Sequence, residues 1–222
     1  MNEYPPPRSD AARHGTGEAD LRIMHAAHNA FRRDVATLAR TATRDNLQDP
    51  VRRITIGAGW ELFRRQLLLH HRAEDASVWP VLRARLAGRA VALSVIDEME
   101  AEHALIDPLL AAVDQALTDE RLHPGDVIDE LAIQLSGHLG HEERDALPLI
   151  GATLSAAEWT GVRVLAGIHA GGEAPNPMEM VPWILHGLTD EQIADVLASF
   201  PPPVGDRYRA EWKPWYDAVP RW

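Results

Sequence analysis

The chain has 222 residues, enough for one domain of moderate size with appendages, and a hydrophobic content of 45% suits a buried core. It contains no cysteine, which excludes disulfides, thiolate metal sites and cysteine nucleophiles, so any bound metal must be held by His, Asp and Glu. A net charge of −11, from 22 Lys and Arg against 33 Asp and Glu, repels phosphate backbones, and no nucleic-acid partner is expected.

Residues 1–17 hold three consecutive prolines followed by polar residues and read as a flexible arm. No signal peptide and no apolar run of membrane length stand out, so no membrane partner is expected and the expected location is cytoplasmic. From about Glu18 to Thr41 the positions Leu21, Met24, His28, Phe31, Val35 and Leu38 recur at helical spacing and predict a first helix. Asp49-Pro50 is a start signal for a second, running to about Leu86, with Gly57 and Gly59 weakening its first half. A third is expected from Arg89 to Leu117. After a turn at His123-Pro124-Gly125-Asp126, a fourth runs to about Ile150. Ser155-Ala156-Ala157-Glu158 is a capping box opening a shorter fifth helix that ends near Gly171-Gly172. Beyond it, residues 174–222 hold eight of the 16 prolines and four of the seven tryptophans, with one short helix capped at Thr189. Trp183, Trp212 and Trp215 are the expected anchors of this segment.

Four long helices joined by short turns, with no strand-like alternation, predict an all-α fold: an antiparallel up-down-up-down four-helix bundle with extra C-terminal helices and a Pro/Trp-rich tail. The expected organisation is an arm at 1–17, a helical bundle at 18–172 and an extension at 173–222. That extension packs on the bundle or meets a partner, either a second copy of the chain in a homodimer or another protein.

An internal repeat carries the chemistry. His70, Glu74 and Pro80 stand in the same H-x3-E-x5-P spacing as His138, Glu142 and Pro148. Residues four apart lie one above the other on a helix face, so each His–Glu pair projects together and can hold one metal while reaching a second. Counted from the connections, His28, His70, His103 and His138 match in height to within three or four residues, about 4.5–6 Å of rise. Four histidines then meet in one layer with Glu74 and Glu142 a turn away, which reads as a metal site. Alone, His28 would read as a buried core histidine; the layer makes it a ligand. His71 lies about 100° around the helix from His70 and reads either as an additional metal ligand or as a support for one. His25 could line the pocket mouth or lie on the surface. Asp75, Asp107, Glu143 and His141 are expected to orient ligating imidazoles or to be exposed. His14, His123, His169 and His186 fall outside the layer and read as structural. Gly57-Ala58-Gly59 lacks the strand and the Lys of a phosphate loop.

The order His28, His70-x3-Glu74, His103, His138-x3-Glu142 resembles the hemerythrin-like (HHE cation-binding) family over roughly residues 18–150. The resemblance implies two non-haem iron ions, bridged by the two glutamates and an oxo or hydroxo group. Two positions depart from the family's O2-carrying members: Met99 stands where those have a further His, and the last acid is Glu142 where those have Asp. The departure argues against simple reversible O2 carriage. The expected function is binding of a small diatomic ligand (O2 or NO) or peroxide in sensing, storage or detoxification. The alternatives are a peroxide-decomposing, catalase- or peroxidase-like enzyme and an iron-buffering or structural metal-binding bundle. Phe31, Leu67, Trp79, Leu105 and Leu135 are the expected apolar lining.

Overall fold

The computed structural model describes residues 17–119, 122, 124–169 and 176–222. All but the last residue of the arm expected at 1–17, and with it His14, lie outside the described residues, as do His123 and Gly171-Gly172. The described chain is helical throughout. Its one β-type contact is an isolated bridge between Glu18 and Ser155, which ties the entry of the first helix to the start of the fifth long one.

Helix α1 spans Arg22–Thr41, and its buried stripe of Ala30, Phe31, Val35 and Leu38 repeats at the helical period. A short α2 (Arg44–Gln48), unforeseen in the sequence, fills the connection to α3, Pro50–Ala73. The expected start signal forms: Asp49 Oδ1 accepts from the backbone N–H groups of Val51 and Arg52, while Pro50 needs no partner. A π-helical turn at Glu74–Val78 leads directly into α4, Trp79–Arg85, so the long second helix is continuous apart from one widened turn. Helix α5 covers Ala90–Thr118 and α6 covers Pro124–His141; a second π turn, Glu142–Ala146, continues into α7, Leu147–Thr153. Helix α8, Ala156–His169, starts at the predicted capping box: Glu158 Oε2 accepts from the Ser155 N–H at 2.9 Å and Ser155 Oγ from the Glu158 N–H at 3.4 Å.

Helix α1 packs against α3 and α6, and α5 against α6 and α3, which closes a ring of four around the core. Two apolar clusters fill it. One joins Phe31, Phe63, Leu67, Ile106 and Leu135; the other joins Trp79, Leu82, Ile96, Met99 and Ile150. Between them, on every one of the four helices, sits a buried polar layer: His28, His71, Glu74, His103, His138 and Glu142 are each at most 2% exposed.

The C-terminal segment holds more helix than its composition suggested: α9 (Pro177–Leu185), α10 (Asp190–Leu197), α11 (Pro202–Arg207) and, after a third π turn at Tyr208–Trp212, α12 (Lys213–Asp217). Val181, Trp183 and Leu185 of α9 join the first apolar cluster. Trp212 is buried as expected, but Trp215 is 36% exposed and anchors nothing in the core. At the C-terminus the Trp222 ring lies over Gly59 so closely that a Cβ there would come within 2.5 Å of it. Gly59 is therefore a packing requirement as well as a weak helix former.

Candidate metal centre

Both glutamates of the repeat open a π turn, and the shared proline gives the physical reason. Trp79 N–H reaches back five residues to Glu74 O, and Leu147 N–H does the same to Glu142 O. Pro80 and Pro148 follow at once; each lacks an N–H and would press its ring on the carbonyl four residues earlier, so the widened turn relieves the clash. The third π turn, ahead of Pro214, has the same spacing. Pro108 inside α5 has no such turn, so proline alone does not make one. In the two site helices the bulge falls where Glu74 and Glu142 leave the helix wall.

The polar layer divides into two groups whose donor atoms all lie within 4.8 Å of one another: His71, His103 and His138 form one, and His28, His70, Glu74 and Glu142 the other. The glutamates span both. Glu74 Oε1 lies 3.2 Å from His70 Nε2, and its Oε2 lies 3.5 Å from His103 Nε2 in the other group. Glu142 Oε2 is 3.1 Å from His28 Nε2 and 3.9 Å from His138 Nε2. The two neighbours His70 and His71 thus face different groups, and the ring of His71 stacks on that of His103 at 4.0 Å.

The outer nitrogens of four imidazoles are occupied. His28 Nδ1 is 3.0 Å from Glu143 Oε1, His71 Nδ1 3.4 Å from Asp107, His103 Nδ1 2.8 Å from Asp75, and His138 Nδ1 2.9 Å from Glu102. In a neutral imidazole an acidic partner on Nδ1 leaves Nε2, facing inward, as the lone-pair nitrogen. Inside, they meet only one another: the Nε2 atoms of all five histidines and all four carboxylate oxygens of Glu74 and Glu142 are buried without an aligned hydrogen-bond partner. Nine inward polar atoms left unpaired are costly, and a bound cation satisfies them. The donor set therefore fits metal.

Charge follows from burial and from these neighbours. Burial, with the imidazoles around them, holds His70 and His71 well below the ordinary imidazole range, so both are neutral. Burial, then the Glu142 charge, pushes Glu74 well above the usual carboxylate range. Glu142 goes the other way: burial opposes it, but His28, His70 and His138 hold its carboxyl low. His28 is raised to about 9, again against burial, by Glu142 and Glu143. Burial also opposes the Glu143 charge, yet His28 and the Arg32 guanidinium hold that carboxyl down at about 2. An entering cation competes with the protons on Glu74 and His28.

All seven residues proposed from the sequence, His28, His70, His71, Glu74, His103, His138 and Glu142, come together. Of the supporting groups, Asp75, Asp107 and Glu143 sit on imidazoles of the two groups. His25 belongs to neither group and lies 4.0 Å from Glu143 at the half-exposed edge. His186 is remote, against Tyr216. Leu105 is a correction: it is 62% exposed, because two residues along a helix turn a side chain about 200° away from His103. Glu102 was overlooked. It accepts from both His138 and His141, at 2.9 and 2.7 Å, and its signal was its place beside His103 on the face toward α6. Arg32, which clamps Glu143 with two hydrogen bonds, was overlooked as well.

A helical bundle with two adjoining buried His/Glu groups belongs to the cation-binding helical proteins. The particular family follows from the sequence: the family model of the hemerythrin HHE cation-binding domain matches residues 19–150, and the chain belongs to that family. No curated protein and no solved structure matches the chain. Among the described residues no helix is long and apolar enough to cross a membrane.

Proposed function

We propose that this chain is a cytoplasmic non-haem di-iron protein that binds O2, NO or peroxide at a centre bridged by Glu74, Glu142 and an oxo or hydroxo group. The observation that carries the reading is the set of nine inward donor atoms without an aligned hydrogen-bond partner, four of whose five histidines are pinned from outside by acids. His71, His103 and His138 would hold one iron, and His28 and His70 the other. Each glutamate reaches both groups, which supports a bridging role.

A ferrous pair in such a site supplies electrons to O2, NO or peroxide. The chain's own residues do the rest. Asp75, Asp107, Glu102 and Glu143 fix the imidazole tautomers and orientations. The apolar clusters on either side exclude water from the layer. The group with two histidines offers one imidazole fewer, so in this reading a small ligand would bind on that side, beside the Phe31 ring 5.2 Å from His70.

The up-down-up-down order belongs to this proposal. It is supported by the sequence of clusters along the helices: α3 and α6 run from the Phe31 cluster through the layer to the Trp79 cluster, and α5 runs the opposite way. Residues 18–172 form the bundle domain in this reading, and 173–222 an extension laid on α1, with a second copy or another protein as partner for its exposed side.

Optical titration of the anaerobic ferrous protein with NO, O2 and peroxide tests the assignment. A saturable spectral change with NO or O2 and no turnover is the expected result. Sustained O2 release from added peroxide would move the protein to the catalase-like class. Indifference to all three would end the di-iron reading.

A further inference from the structure

Aromatic rings lead from the metal centre into the C-terminal segment. Phe31 lies 5.2 Å from the His70 ring and 4.9 Å from Trp183. Trp183 is 1% exposed, and its indole Nε1 donates to Asp34 Oδ2 at 2.8 Å. Asp34 is itself buried at 3%, its other oxygen accepting from Arg33 Nε at 2.7 Å. A buried indole N–H needs only a neutral acceptor, as Trp159 finds in the Asp20 carbonyl at 2.8 Å. A carboxylate in that place costs desolvation and a counter-ion. It does what a carbonyl cannot: its charge eases removal of an electron from the indole, and its oxygen can take the acidic proton of the oxidised ring. Trp79, equally buried, has no acceptor for its Nε1 among the described residues, so an oxidised Trp79 would have nowhere to place that proton.

We propose that Trp183, paired with Asp34, is a one-electron donor to the metal centre when peroxide is reduced there. The proposal rests on the iron-binding reading above. Reduction of peroxide to two waters breaks the O–O bond and takes two electrons and two protons. When the centre holds one ferrous and one ferric iron, the ferrous iron supplies one electron and Trp183 the other, passed through Phe31 and His70, with both protons from solvent. The Trp183 Nε1 proton moves to Asp34 Oδ2, leaving a neutral indolyl radical beside a protonated carboxyl. The donation spares the ligand histidines from oxidation. A second station lies further out, where Trp60 stacks on Phe63 at 5.6 Å and donates to Asp114 at 2.6 Å.

The test is freeze-quench electron paramagnetic resonance of the full chain, loaded with iron and poised in the ferrous–ferric state, after one equivalent of hydrogen peroxide. Iron content is measured first in every sample. Wild type should give an organic radical whose line shape changes when the protein is grown on indole-deuterated tryptophan. Trp183→Phe should lose at least nine-tenths of it at equal iron content. Asp34→Asn, which keeps the ring and its packing, should lower the yield at least tenfold and settles the matter if Trp183→Phe does not fold. An iron-loaded wild type with no tryptophan radical, or a radical untouched by both variants, overturns the proposal and leaves the metal reading intact. A chain that takes up no iron overturns both.

Discussion

Adjacent histidines on one helix usually serve one purpose at most, since they point about 100° apart. In α3 that divergence lets His70 and His71 enter different donor groups, because the helix faces the layer between α1 and α5 and can reach either side. His71→Leu should therefore lower iron from two per chain to one while leaving the helical signal unchanged; unchanged iron would remove His71 from the ligands. Glu102→Gln, which weakens the hold on both His138 and His141, should reduce metal affinity about 10–100-fold in competition with a chelator. Affinity should also rise with pH until about 9, since His28 carries a proton below that point and Glu74 holds one too. Chelator competition from mildly acidic to alkaline buffer checks the sign, and a flat profile would contradict it. The convergence of the candidate ligands was legible because i and i+4 spacing is a direct statement about a helix face. Glu102 was not, because a carboxylate on a neighbouring helix is recognised only once α5 and α6 are seen to touch. Leu105 differs for a simpler reason: nearness in sequence to His103 is not nearness to the site.

At the scale of elements, start signals were the most readable part. Asp49-Pro50, Ser155–Glu158 and Thr189–Gln192 all cap as their side chains dictate. The π turns were not foreseen, although the proline six residues after each glutamate was in view; helical spacing rules assume a regular turn and carry no term for a widened one. Short α2 was missed because five residues with a single apolar position, Leu47, show no period. The entry of α1 makes a separate prediction. Asp20 sits at about 2, below its ordinary 3.8; burial opposes this, but the Arg22 guanidinium on both its oxygens outweighs it, and Arg22 also holds Asp195 of α10. A folded-state value below the unfolded one stabilises the fold above about 4 and is lost as pH falls toward 2. Asp20→Asn should therefore destabilise the protein at neutral pH and lose less on acidification than wild type, read from urea midpoints across that range. Equal acid sensitivity would show that the clasp is inert.

Across the whole molecule, the polar layer splits the core in two, and the C-terminal segment completes one half. Trp183 packs on Phe31, and Arg33 reaches the Trp183 and His186 carbonyls, so α9 is tied to the same turn of α1 that walls the metal centre. Trp183→Ala should cost about 3–5 kcal/mol in chemical unfolding, the usual range for deleting a buried aromatic. A loss well under that would mean the extension is only loosely joined to the fold. The bundle was legible from four long helical periods. Of the extension only the helix capped at Thr189 was legible, because Pro-rich composition predicts irregular chain, whereas here Pro177 and Pro202 stand in first turns where a proline is tolerated.

Iron per chain, with the optical spectrum, in wild type and Glu142→Ala after expression with iron, tests the account most directly. Two irons with near-ultraviolet oxo-to-iron bands, both lost or halved in the variant, is the predicted result. One metal or none, with a variant that behaves as wild type, would contradict a bridged di-iron centre.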